Sequence, residues 1–166
     1  MDLDRLNALP DEEAIRALLD CCSSTTWAGR VAGQRPFTTI DDLLSAARDE
    51  WGALDPVDRE EAFASHPRIG ARAAGDDRHT SWSRREQSGV DEADRRVLDE
   101  LARCNRAYEE RFDRVFLVFA TGKTAADMLA MCRERLGNDP ETEYEIASAE
   151  QEKITGLRLR RLVGID

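Results

Sequence analysis

The chain has 166 residues, of which 41% are aliphatic, aromatic or cysteine and 35% are charged; 24 basic against 34 acidic side chains give a formal charge of −10. That is enough apolar material for one core, expected as a single domain over residues 1–166, and too acidic a surface to neutralise phosphates, which excludes nucleic acid and anionic membranes as partners. The longest apolar run, VFLVFA at 115–120, is far short of the roughly 18 residues a membrane helix needs, and the acidic start MDLDRLNALPDEEA does not read as a signal peptide, so a cytoplasmic location is expected.

The first periodic stretch is 11–22, DEEAIRALLDCC, with acids at its start and Ile15, Leu18, Leu19 and Cys22 on one stripe. AGQRPF at 32–37 reads as a loop interrupted by Gly33 and Pro36. A second helix is expected over 41–53 with Leu43, Leu44 and Ala47 inward, and a third opens at Asp55 with Pro56 in its first turn and ends near His66–Pro67. Residues 68–82, rich in Gly, Arg and Asp, read as an exposed loop containing His79 at the surface. From 91 to 112 a long helix carries Val97, Leu98, Leu101, Cys104, Tyr108 and Phe112 at spacings of three and four. VFLVFATGK then breaks the amphipathic pattern and predicts either a short buried extended segment or a tight helical turn.

Thr124 is placed to cap a helix over 125–136 that stops at Gly137–Asn138. Asp139–Pro140 starts a last long helix carrying Tyr144, Ala147, Ile154, Leu157 and Leu162. Strand alternation is sustained nowhere, so the fold class expected is all-α, a compact bundle of about seven to eight helices. The four cysteines have no disulfide-framework or metal-ligand spacing, and the two histidines are not helically spaced. Reduced thiols and no metal are expected.

Half of the imidazoles sit in SHPRIG at 65–70. Proline bars the residue before it from the helical region, so His66 lies at a helix end with a stiff backbone behind it. An imidazole titrates near neutrality and suits proton transfer there, but a histidine at a helix C-terminus is equally a cap for the dipole. SRREQ at 83–87 fits a capping box, with Ser83 accepting from the backbone and Glu86 reaching back. It also offers Glu86 and Gln87 as an acid–amide pair beside a helix N-terminus. FLVFATGK at 116–123 is either ordinary core or a row of backbone N–H groups at a kink, and its TGK lacks the context of a phosphate loop. LRLRRL at 157–162 presents Arg158, Arg160 and Arg161, any of which could clamp a carboxylate or simply form a solvated basic face.

Taken in order, W…RPF, HPRIG, SxxEQ, Y…RF…FLVFATGK, RLGN and E…I…LRLRRL resemble the OHCU decarboxylases, over about residues 6 to 163. The carrying residues are Trp27, Arg35–Pro36–Phe37, His66–Pro67–Arg68–Ile69–Gly70, Ser83, Glu86–Gln87, Phe116 to Gly122, Asn138 and Arg158. The resemblance implies a cofactor-free enzyme, commonly a homodimer. It would decarboxylate 2-oxo-4-hydroxy-4-carboxy-5-ureidoimidazoline to (S)-allantoin and CO2, the last step from urate. It further implies His66 as proton donor and Glu86 as its acidic partner. Pro67, Ser83, Arg84, Arg85, Glu86, Gln87, Phe116, Leu117, Val118, Phe119, Ala120 and Arg158 would line the substrate. Two other readings stay open: a non-catalytic helical module binding a small anion or a partner, and a decarboxylase of a related ureido or imidazoline compound. Association with upstream enzymes of the pathway is not legible.

Overall fold

The computed structural model describes residues 1–69 and 92–165. Among these the chain forms eight helices and no strand: α1 Leu3–Ala8, α2 Asp11–Leu19, α3 Thr25–Ala32, α4 Ile40–Gly52, α5 Pro56–Ala64, α6 Glu92–Phe112, α7 Ala125–Arg135 and α8 Pro140–Leu162. The all-α expectation holds. The chain divides into two units, one made of residues 1–66 with the segment from Tyr144 onward, the other of Pro67–Glu143.

The first unit is organised around α3, which packs on α2, α4 and α5. The fully buried Trp27 lies at its centre and donates from Nε1 to the Ala47 carbonyl at 2.8 Å. Trp51 Nε1 reaches the Ser148 carbonyl at 3.2 Å and its hydroxyl at 3.1 Å, and Phe63 meets both Trp51 and Tyr144 edge-on. Indoles are accepted in a core only where the N–H finds a partner, and both do. Arg35 in the expected loop closes the C-terminus of α1 by donating to the Leu6 and Leu9 carbonyls at 2.9 and 2.7 Å, with Asp11 as counter-ion at 2.6 Å.

Helices α1 and α3 are absent from the sequence expectations. The first has six residues and the second eight, too short for an apolar period to repeat. Their caps are nevertheless written locally: Asp2 accepts from the Arg5 amide and Ser24 from that of Trp27. The helix expected over 11–22 ends at Leu19, where the Cys21 amide turns back to the Leu18 carbonyl, three residues behind it, and breaks the four-residue ladder. Thr39 and Asp42 form a capping box at α4. Thr39→Ala is expected to lower the unfolding free energy by about 1 kcal/mol, read as a lower urea midpoint at unchanged m-value.

In the second unit α6 packs on α7. Leu101, Cys104, Tyr108 and Phe112 of α6, Phe116 and Val118 of the connection, and Leu129 and Cys132 of α7 make its core. Leu98, expected inward, is 38% exposed. The buried stripe runs through Val97, Leu101 and Cys104, and Leu98 stands a further 100° round the helix, on its flank. Asp113 ends α6 in the left-handed region at φ 54°, a conformation that Asp tolerates.

Residues 115–120 are neither helix nor strand, so of the two expectations the tight helical turn is the one set aside. The Lys123 amide returns to the Ala120 carbonyl at 3.0 Å with Gly122 at φ 77°, a turn that calls for glycine. Thr124 caps α7 in a second capping box, and Asp139 caps α8 by accepting from the Glu141 and Thr142 amides. All four cysteines are buried and unbridged. No helix among the described residues is long and apolar enough to cross a membrane.

Candidate active site

His66 follows α5 directly. Ser65 is the C-cap, and the His66 amide bonds back to the Phe63 carbonyl at 3.2 Å, so the turn ends where Pro67 forbids another helical residue. The imidazole is half-buried and its Nε2 lies 2.7 Å from Oε1 of Gln151 on α8. Gln151 is fully buried and donates from Nε2 to Thr155 Oγ1 at 3.1 Å, one turn along the same helix. Arg158 follows on that face, half-buried, donating to the Cys21 carbonyl at 3.2 Å. His66, Gln151, Thr155 and Arg158 all belong to the first unit.

Burial pushes the His66 pKa below its ordinary 6.5; the Gln151 hydrogen bond opposes this and the positive field of Arg158 adds to it. Among the described residues, burial and Arg158 both favour the neutral imidazole.

Of the three arginines in LRLRRL, Arg160 and Arg161 are exposed and form the solvated face, while Arg158 turns inward. Pro67 and Arg68 are exposed. Arg68 forms a two-pronged ion pair with Glu109, at 2.6 and 2.7 Å, within the second unit.

The run 116–120 splits. Phe116, Leu117 and Val118 are buried in the second unit, Phe119 is half-buried and Ala120 exposed. Arg135 on α7 anchors the run by donating to the Leu117 carbonyl at 2.7 Å, with its guanidinium 4.8 Å from the Phe116 ring. Lys123 Nζ takes the Phe119 carbonyl at 2.6 Å and lies over its ring. Asn138 donates to Glu143 Oε2 at 3.0 Å, a place in the framework of the second unit.

Ser83, Arg84, Arg85, Glu86 and Gln87, with Gly70 and His79, lie outside the described residues. The sequence reading missed Gln151 and Thr155. Their spacing of four, continued by Arg158 three residues on, was the available signal, since it puts all three on one helical face.

The OHCU decarboxylase family profile matches residues 7–160. The chain is 35% identical over 147 residues to the uric acid degradation bifunctional protein TTL of Arabidopsis thaliana, covering 86% of this chain and 45% of that protein, so it spans under half of that relative's length. It is 29% identical to the 2-oxo-4-hydroxy-4-carboxy-5-ureidoimidazoline decarboxylase of Amia calva, covering 98% of this chain and 95% of the other. A crystal structure of an OHCU decarboxylase in the presence of (S)-allantoin superposes with a TM-score of 0.75 at 33% identity, over 93% of this chain and 99% of that one. With a profile match across nearly its whole length and helices that superpose on a solved member, the chain belongs to the OHCU decarboxylase family.

Proposed function

We propose that this protein decarboxylates 2-oxo-4-hydroxy-4-carboxy-5-ureidoimidazoline to (S)-allantoin and CO2. The observation that carries this reading is the half-buried His66 held by Gln151 on the helix face that also turns Arg158 inward, in a chain of this family. The substrate carries its carboxylate on a carbon that also bears a hydroxyl, next to a conjugated C–N system. As the carbon–carboxylate bond breaks, its electron pair is delocalised toward ring nitrogen, so the substrate is its own electron sink. The protein then has two tasks: to hold the heterocycle in one orientation and to deliver one proton to one face.

His66 supplies that proton, with Glu86 as its acidic partner. Arg158 meets the anionic or polar edge. Ser83, Arg84, Arg85 and Gln87, Pro67 and the 116–120 run complete the lining, the buried Phe116, Leu117 and Val118 through their backbone. Positioning of this kind contributes several kcal/mol to lowering a barrier. The family match runs across both units, which supports one catalytic domain. A cytoplasmic homodimer needing no resident cofactor completes the reading.

The test generates the substrate in situ from urate with an oxidase and a hydrolase and follows allantoin by circular dichroism. A clear acceleration of one enantiomer over buffer is the expected result. A rate equal to buffer would leave a binding module, or a decarboxylase of a related heterocycle to be found with other ureido compounds.

The pH dependence has a definite sign. A general acid must be protonated, and burial with Arg158 lowers the His66 pKa in the free protein. The kcat/KM is therefore expected to rise as pH falls, with its limb below about 6.5. A kcat/KM that stays flat or falls as pH is lowered through this range would contradict the assignment.

A further inference from the structure

The hydrogen bonds running inward from His66 have a direction. Cys22 follows α2, and its thiol shares a side-chain hydrogen bond with Thr155 of α8. Thr155 Oγ1 accepts from Gln151 Nε2 at 3.1 Å, since an amide nitrogen only donates. That orients the Gln151 amide, with Oε1 toward the imidazole at 2.7 Å. An amide oxygen only accepts, so His66 Nε2 is the donor. Gln151 is fully buried and Thr155 is 6% exposed, so no bulk water competes for these groups.

We propose that Gln151 is the positioning residue of the reaction: oriented by Thr155, it keeps a proton on His66 Nε2 throughout and makes Nδ1 the nitrogen that exchanges a proton with the substrate. The inference rests on the decarboxylase reading for the identity of the proton acceptor. In the step, the Nδ1–H bond of the imidazolium breaks as the proton bonds to the carbanionic carbon, whose electron pair forms the new C–H bond. The N–H pair stays on Nδ1, and solvent returns the proton afterwards. Nε2–H···Oε1 is satisfied in both charge states, so neither the ring nor the amide has to turn. Glutamine accepts without adding a negative charge, which lets the ring be neutral between turnovers. Among the described residues Arg158 is the charged group acting on the ring. The neighbouring thiols Cys21 and Cys22 are neutral, burial pushing them up to about 12 and about 11.

The first measurement needs no substitution at this position. The chain has two histidines, so H79Q labelled with 15N leaves one imidazole to observe. At neutral pH its Nε2 is expected to resonate as a protonated, pyrrole-type nitrogen and Nδ1 as pyridine-type; the reverse assignment overturns the proposal. Q151E places a carboxylate on Nε2 and is expected to raise the His66 titration midpoint by at least about one unit, taking the kcat/KM limb with it. Q151L removes the acceptor and is expected to lower both the midpoint and kcat, the latter by about tenfold, with KM little altered.

A residue with only a structural role would lower the melting temperature of Q151L and leave the midpoint and kcat of the folded fraction unmoved. That result also overturns the proposal. Because the titrations need no substrate, an inert protein with the expected tautomer and Gln151-dependent midpoint upholds the hydrogen-bond assignment and sinks the decarboxylase reading. An active protein with the opposite tautomer does the converse.

Discussion

His66→Ala is expected to lower kcat/KM for decarboxylation by about 10²–10⁴-fold, the usual contribution of a positioned general acid, and to abolish the rise of kcat/KM as pH falls. The fold should survive. His66 lies after the C-cap of α5, half-buried, and the helix closes through Ser65 and the Phe63 carbonyl whether or not an imidazole follows. What the substitution does leave is an unpaired Gln151 oxygen in a fully buried amide, which costs about 1–3 kcal/mol. A modest fall in melting temperature with an unchanged far-UV spectrum is therefore part of the expected result. His66→Asn, with a polar side chain at the same place, provides the control: it should be more stable than His66→Ala and equally inactive, since an amide does not transfer the proton. Full activity in either folded variant would assign His66 to the alternative role of a helix cap and remove the mechanism.

The second large effect is on stability and lies in the other unit. Glu143 is 0% and Arg135 4% exposed. One carboxylate oxygen of Glu143 accepts from Arg135 at 2.5 and 2.8 Å and from the Tyr108 hydroxyl at 2.5 Å, and the other accepts from Asn138 at 3.0 Å. Burial, reinforced by the bond to Glu143, holds the Tyr108 hydroxyl well above its ordinary pKa of 10, so it stays a donor. Glu143→Gln would leave a guanidinium buried without its counter-ion, and removing one partner of such a pair costs about 3–5 kcal/mol.

Urea unfolding followed by circular dichroism measures the loss, and added salt should change the difference little, because a buried pair is poorly screened. A loss below about 1 kcal/mol would show that water enters the cluster. Replacing both partners, as in Arg135→Met with Glu143→Leu, removes the lone buried charge and is expected to recover part of the loss, since the Tyr108 hydroxyl and the Leu117 carbonyl lose their partners. It would not restore the anchor on the Leu117 carbonyl, so an activity deficit persisting in the stable double variant would tie the 116–120 run to the site.

The helical class was legible because its signals are local. The stripe in α6, the Thr124 cap of α7, the Asp139–Pro140 start of α8 and the Pro67 stop after α5 each involve residues a few positions apart, within reach of steric and hydrogen-bonding rules that operate along the chain. His66 stood out for the same reason. Helix α8 shows where such reading ends. Its sequence predicts an apolar stripe, yet the buried face of α8 is largely polar, with Glu143, Ser148, Glu150, Gln151 and Thr155 all buried.

Polar residues are buried only when their partners are present. For Ser148 one such partner is Trp51, 97 positions away, and for Gln151 it is His66, 85 positions away. Likewise nothing local distinguished Arg158 from Arg160 and Arg161; the resemblance selected it, and packing turns it inward to the Cys21 carbonyl. The sequence by itself determined the all-helical class, the caps and stops of the longer helices and which residue could move a proton, while the short helices α1 and α3 left too brief a pattern to read. Only the tertiary structure decided which buried polar groups satisfy one another, because a hydrogen bond between distant segments leaves no period in either of them.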